Sequence, residues 1–180
     1  MSNTLIIILD FVFRLATLLF LIRFLLQAAG ADFYNPISQA VTKATDSVCK
    51  PLRMVVKPVA NFDLASLTVA WLISVAAVFA FTFAQHGTGA AVLPALWAGL
   101  IKTLLVLMQF YKWTIIIIVI ASFVAQGTQH PALALLNELL EPVMGPVRRI
   151  LPSLGPLDLS PMVVLLVIIL VEDILMRSYF

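Results

Sequence analysis

The sequence predicts an all-α membrane protein with four transmembrane helices, arranged as two tandem helix–amphipathic segment–helix repeats. Three observations predict it. Of the 180 residues, 62% are apolar and 11% charged, with a mean hydropathy of +1.09; soluble chains run about 45–50% apolar and about 25% charged. The apolar residues gather into runs long enough to cross a bilayer, which takes about 20 residues. Residues 35–66 and 130–161 also align without a gap at an offset of 95, pairing Pro36 with Pro131, Val48 with Val143, Pro51 with Pro146, Arg53 with Arg148, Asp63 with Asp158 and Leu64 with Leu159. Four of the six are helix punctuation or charge rather than the aliphatic residues that any two membrane segments share. Asp46 opposite Glu141 adds a conservative pair. A period of this kind means a duplicated unit. The repeats are therefore 1–90 and 91–180. With two crossings each they share one orientation, which implies a parallel pseudo-two-fold axis along the membrane normal.

The first repeat opens with an apolar run at 4–27. At 1.5 Å per residue it spans about 36 Å, enough for a hydrocarbon core of about 30 Å. Nothing before Arg14 is basic and the run is too long for a signal peptide, so it reads as a retained crossing. Asn35-Pro36 then marks a helix start, Asn as N-cap and Pro at the first position, where no donor is needed. Across 36–57 the apolar positions Ile37, Val41, Ala44, Val48, Leu52 and Val55 recur at helical spacing. Gln39, Lys43, Asp46, Lys50, Arg53 and Lys57 form the opposite stripe. This is an interfacial amphipathic helix with a basic face, which Pro51 should kink or split. Asp63 caps the second crossing, 64–84, and residues 85–90 form a turn.

The second repeat begins with an apolar stretch, 91–126, longer than one crossing needs. Setting residues 23–27 against 122–126 places the third crossing at 103–126 and leaves 91–102 as an interfacial lead-in or an extension of that helix, the lead-in being the preferred reading. His130-Pro131 restarts the amphipathic pattern over 131–151, where Glu138, Glu141 and Arg148 are polar and Pro142 and Pro146 should break the helix. Asp158, or Ser160 before Pro161, caps the last crossing, 161–178.

Basic residues set orientation. Lys43, Lys50, Arg53, Lys57, Arg148 and Arg149 lie in the duplicated segments, against Lys102 and Arg177 on the other side, so both segments should be cytoplasmic and both termini outside. Pro51, Arg53, Pro146, Arg148 and Arg149 are the candidate contacts for anionic phospholipid or for an anionic partner. Asn35, Asp63 and Asp158 are the candidate helix caps. Five charges fall inside crossings: Asp10, Arg14, Lys112, Glu172 and Asp173. Asp10 and Arg14 are one turn apart, suited to an ion pair. Arg14, Lys112 and Glu172 lie 13, 14 and 11 residues from the expected cytoplasmic helix ends. Charge at that depth is costly unless paired or hydrated, so these side chains should face inward, as inter-helix ion pairs or along a transport path. Arg23 and Arg177 read as snorkelling.

Other function classes find no support. A net charge of +2 without a dense basic tract gives no nucleic-acid footprint. The single Cys49 makes neither an intrachain disulfide nor a thiolate metal cluster and reads as a packing residue; His86 and His130 fall on opposite sides. There is no Gly-rich phosphate loop, HExxH or Ser elbow. No enzyme, metal or cofactor is expected.

Pro142, Pro146-Val147-Arg148-Arg149, Pro152, Gly155 and Asp158-Leu159-Ser160-Pro161, with Asp32-Phe33-Tyr34-Asn35-Pro36, Pro51-Leu52-Arg53 and Asp63 in the first copy, resemble the YggT family, which includes the YlmG proteins and plastid relatives. The first copy departs from the family pattern at Ser47, Met54 and Lys57. The resemblance covers nearly the whole chain, and two copies is the bacterial form. It implies a multi-pass inner-membrane protein without catalytic residues, acting in osmotic or ionic stress tolerance. Assembly or scaffold work of the cytochrome-maturation or cell-division type is the alternative, and an ion channel or transporter is the third. A second membrane protein as partner and the oligomeric state stay open.

Overall fold

The computed structural model describes residues 3–87, 89–124, 130–150 and 158–179. Six helices follow in order: α1 (Asn3–Ala28), α2 (Pro36–Leu52), α3 (Leu64–His86), α4 (Val92–Val124), α5 (Pro131–Ile150) and α6 (Ser160–Tyr179). Residues 125 and 126 at the end of the expected third crossing, residue 151, and the motif residues Pro152 and Gly155 lie outside the described residues.

Among the described residues three helices, not four, are long and apolar enough to cross a membrane by length and composition: Thr4–Ala28, Leu64–Gln85 and Val92–Val124. α6 has the length, but Glu172, Asp173 and Arg177 put three charges in its 20 residues. The expected lead-in at 91–102 is corrected as well, because α4 runs unbroken through it. Pro94 sits at the third residue of α4, in the first turn, where an absent N–H breaks no helical bond.

The amphipathic elements differ from expectation at their prolines. α2 stops at Leu52 rather than near 57, with Pro51 in its last turn and Arg53 at the C-cap. Pro142 and Pro146 do not break α5. They are four residues apart on one exposed face, so the carbonyls they deprive of a donor, those of Glu138 and Pro142, also fall on that face. Between α2 and α3 the chain reverses at residues 59–62, where Val59 and Phe62 exchange backbone hydrogen bonds of 3.1 and 2.9 Å and Ala60 adopts φ 50°. Phe62 stacks on Phe24 of α1, with ring centroids 6.0 Å apart, which docks the turn.

α3 packs against α1 and α4, and α4 packs against α6 and α5. α2 lies on α1 beside the turn, and α5 takes the same place on α4. Two ties join the starts of the amphipathic helices: Asn35 Nδ2 donates to the Pro131 carbonyl at 2.8 Å, and the Asp32 N–H donates to Glu138 at 2.9 Å. Small residues recur every fourth position in α3, at Ser66, Ala70 and Ser74, and in α4, at Ala95, Gly99 and Thr103, all buried; where the two helices meet, Thr103 Oγ1 lies 2.9 Å from Ser74 and Gly99 lies against Val75. Such ladders let helix backbones approach closely, which matters most in lipid, where apolar side chains gain little by leaving it. Ile7, Phe11, Val12, Phe123, Leu166 and Leu170 remain exposed, an apolar surface compatible with a membrane protein.

The α3–α4 seam makes one position testable. A Cβ built on Gly99 would stand 2.4 Å from Val75 Cγ2 and 3.0 Å from Val75 Cα. Gly99→Ala should destabilise the fold by about 1–3 kcal/mol through overpacking. Adding Val75→Ala should recover only part of the loss, because the backbone clash remains. Detergent-solubilised melting curves check this, and an unchanged Tm in Gly99→Ala would refute the close approach.

Candidate functional site

The residues that the repeat places at the end of each amphipathic helix come together in space. In the first repeat Arg53, at the C-cap of α2, donates Nε to Asp63 Oδ1 at 3.2 Å and a terminal nitrogen to Oδ2. The tight turn at 59–62 swings Asp63 back beneath Arg53 and makes this clasp possible. In the second repeat Arg148 donates Nε to Asp158 at 3.1 Å and Nη1 to Glu141 at 3.1 Å. Arg53 and Arg148 thus direct their charge inward, to a carboxylate of their own repeat. Arg149, expected beside them as an anion contact, is exposed and has no ion pair among the described residues; Lys43 and Lys57 share that condition. Pro51 and Pro146 precede the two arginines by two residues and are both exposed.

The expected caps divide. Asn35 caps α2, accepting the Ile37 N–H at 2.9 Å. Asp158 accepts the Ser160 N–H at 2.9 Å while holding Arg148. Asp63 occupies the N-cap position of α3 but makes no cap hydrogen bond through its side chain. Its carboxylate is taken by arginines, a charge-assisted contact that outcompetes a backbone amide.

One of those arginines corrects the sequence reading. Arg23 does not snorkel: it is 5% exposed and ties α1 to α2 and to Asp63. Its guanidinium reaches Asp46 at 2.7 Å, Thr45 Oγ1 at 2.6 Å, the Thr42 carbonyl at 2.9 Å and Asp63, which is 0% exposed, at 3.4 Å. A snorkelling side chain would reach past the apolar surface to water, whereas here polar partners descend to meet it. The sequence did carry a signal. At the 95-residue offset Arg23 faces Ile118, so the first repeat holds a charge that the second lacks.

These contacts set the local titration. Hydrogen bonds from Lys50, then Arg23, hold the Asp46 carboxyl below the ordinary aspartate value. Burial works to raise Asp63, but Arg53, Ser66 and Arg23 together outweigh it and its pKa is lowered. Asp158 is lowered by Ser160 and then Arg148. Burial pushes the Cys49 thiol up, which disfavours the reactive thiolate.

The five charges expected inside crossings fall into three groups: Asp10 with Arg14, Lys112 with Glu172, and Asp173 apart from both. Asp10 accepts from Arg14 at 2.6 Å and from Lys102 at 2.9 Å; Lys102 also lies 4.4 Å from the Phe81 ring centroid. Arg14 further reaches Gln109 at 3.4 Å, and the group borders a cavity of about 540 Å³ that Tyr179 of α6 also lines. Lys112 and Glu172 pair separately between α4 and α6. Ten residues of α4 separate Lys102 from Lys112, about 15 Å along the axis, so one cluster could not hold both. Asp173 does not face inward: it pairs with Arg177 at 2.8 Å on the exposed side of α6. Next to the first cluster lies a buried hydroxyl group. Thr103 donates to the Gly99 carbonyl, and Ser74 lies 2.9 Å from Thr103 and 3.3 Å from Thr17. Between these hydroxyls and Arg23, Phe20, Leu21, Val69, Ala70, Cys49 and Val106 close the interior with apolar packing. Among the described residues no group of three or more His, Cys, Asp or Glu side chains could hold a metal ion.

Comparison with known proteins bears on this doubled arrangement. The family model described as CCB3/YggT matches twice, over residues 2–84 and 97–179. The chain belongs to the CCB3/YggT family. Both matches keep the 95-residue offset, so the setting of 23–27 against 122–126 is replaced: Arg14 is equivalent to Gln109, Lys112 to Thr17 and Arg23 to Ile118. Family relatives include an uncharacterised protein of Pseudomonas aeruginosa, 37% identical over 162 residues that make up 89% of this chain and 82% of that protein. The uncharacterised protein YggT of Escherichia coli K12 is 36% identical over 172 residues, 94% of this chain and 88% of the relative. An uncharacterised protein of Haemophilus influenzae is 31% identical over 165 residues, 92% of this chain and 87% of the relative. No solved structure matches the chain.

In this family member the Arg23 hub of the first repeat is buried and the Arg148 clasp of the second is half exposed, and so their contributions should differ. Arg23→Gln leaves Asp63 buried with weakened compensation and should destabilise by about 3–5 kcal/mol. Arg148→Gln acts where both partners are 47% exposed, against Asp158, and should cost only about 0–1 kcal/mol. Equal losses in melting experiments would contradict the assignment of Arg23 as the hub. Because Asp46 and Asp63 titrate lower when folded, their contribution is complete above the unfolded value of about 3.9. Melting temperature should therefore hold from neutral pH to about 5 and fall as pH drops below about 4.

Proposed function

We propose that this protein is a non-enzymatic, multi-pass protein of the bacterial inner membrane that supports osmotic and ionic stress tolerance through its two interfacial helix–turn–helix hairpins. The observation that carries this reading is the Arg–Asp clasp built twice, Arg53 to Asp63 and Arg148 to Asp158, each fixing an amphipathic helix to the start of the next apolar one. A device repeated at that one place marks the working face. Lys43, Lys57 and Arg149 are exposed there, without ion pairs among the described residues, and suit anionic phospholipid headgroups.

In this reading α6 is the fourth crossing, with its charges neutralised in pairs: Glu172 by Lys112 and Asp173 by Arg177. The hydrogen bond between Arg14 and Gln109, equivalent positions of the two repeats, is consistent with a parallel pseudo-two-fold axis passing between α1 and α4. Both hairpins then face the cytoplasm and both termini the outside. C-terminal reporter fusions should show the activity of an exported reporter; cytoplasmic reporter activity would reject that orientation.

A transporter is the second reading, favoured by the charged cavity beside Asp10 and Lys102. The apolar packing around Leu21 and Val106 weighs against a continuous polar path. The two readings make opposite forecasts for rescue of ion-stress growth in a deletion strain. Lys43→Gln, Lys57→Gln and Arg149→Gln together should impair rescue at normal membrane abundance, whereas Asp10→Asn with Lys102→Met should matter less. Full rescue by the triple variant would eliminate the interfacial reading.

A further inference from the structure

The 95-residue offset lets the surroundings of Arg23 be read twice. Its guanidinium is held by Thr42, Thr45, Asp46 and Asp63. The equivalent positions are Asn137, Leu140, Glu141 and Asp158, and position 23 itself becomes Ile118. All five of these second-repeat residues line one cavity of about 400 Å³ between α4, α5 and the start of α6. The second repeat keeps the two carboxylates of a guanidinium site and lacks the guanidinium.

Charge balance points the same way. In the first repeat Arg23, Lys50 and Arg53 meet Asp46 and Asp63. In the second, Arg148 bridges Glu141 and Asp158 as their one cation among the described residues, and Gly145 stands where the first repeat has Lys50. Two carboxylates share one cation, at the rim of a cavity whose wall, formed by Ile115, Ile118 and Val119, is apolar. A bare inorganic cation would leave that wall unused, and an uncharged apolar molecule would leave the carboxylates uncompensated.

We propose that this cavity binds an amphipathic monocation: a guanidinium or primary ammonium group on an aliphatic stem. The head takes the place between Glu141 and Asp158 that Arg23 takes between Asp46 and Asp63, and the stem lies against Ile118. Two sources carry that chemistry, a soluble alkylguanidinium or alkylamine and the amino headgroup of a membrane lipid. The site stands independently of the ionic-stress role, since it follows from the two repeats of this one chain.

The test uses purified full-length protein in uncharged detergent, titrated with butylguanidinium chloride and followed by melting temperature. Tetramethylammonium chloride, which has no N–H donors, is the ionic control. A saturable rise in Tm with butylguanidinium and none with the control is expected. Ile118→Arg supplies the guanidinium in cis, so it should raise the Tm without ligand and abolish the response. Glu141→Gln keeps the shape of the site and should weaken apparent affinity by about tenfold. If Ile118→Arg fails to fold, the comparison with Glu141→Gln decides. In nanodiscs, phosphatidylethanolamine mixed into phosphatidylcholine identifies a lipid source if it raises the Tm of the natural protein and leaves Glu141→Gln unmoved. A butylguanidinium response without that lipid effect identifies a soluble one. No response to either probe, or equal responses in the natural protein and Glu141→Gln, overturns the proposal.

Discussion

A guanidinium enclosed where α1 meets the amphipathic α2 and the start of the apolar α3 has to be compensated on every side, and Arg23 imposes that condition on the first repeat. Removing a charge from water costs several kcal/mol, recovered only through good geometry and full hydrogen bonding. Asp46 and Thr45 from α2, and Asp63 from the start of α3, supply it. Three helix ends are thereby located relative to one another. Asp63, fully buried, depends in turn on Arg53 and on the tight turn that carries the chain back from α2. Stacking of Phe62 on Phe24 and close packing around Cys49 then follow as apolar consequences of a polar constraint.

The two repeats show which parts of this arrangement the architecture needs. Both retain an arginine ending the amphipathic helix and an aspartate opening the next one, so the clasp is what joins an interfacial helix to an apolar helix. Only the first retains the buried hub. The packing diverges elsewhere too. α3 presses closely on α4 where Gly99 lies against Val75, and Trp71 donates to the Leu96 carbonyl at 3.2 Å. One half is closed by charge and the other by apolar contact with an open cavity.

The remaining charges obey the same economy of compensation. Asp10 satisfies two cations, Lys112 meets Glu172, and the hydroxyls of Thr17, Ser74 and Thr103 satisfy one another in the interior. Charge in an apolar setting is tolerated where it is paired, and between those groups the interior is filled with aliphatic and aromatic side chains.

Composition and repetition determined a good deal. The long apolar runs, the duplicated proline–arginine–aspartate punctuation, the pairing of Asp10 with Arg14 and the N-cap at Asn35 are local or periodic properties, and short-range rules read them. The proline effects were half legible: Pro51 comes within two residues of a helix end, while Pro142 and Pro146 sit on an exposed face where helical bonds are dispensable. What only the tertiary structure decided is which charges meet. Arg23 and Asp63 are 40 residues apart, and Lys102 and Asp10 are 92 apart. No spacing rule reaches across such separations, because the partner of a long side chain is fixed by the rotation of each helix about its axis. A shift of one residue turns a side chain by about 100° and redirects it from lipid to interior. The sequence specifies that rotation only through the sum of its packing contacts, and those exist only once the helices are together.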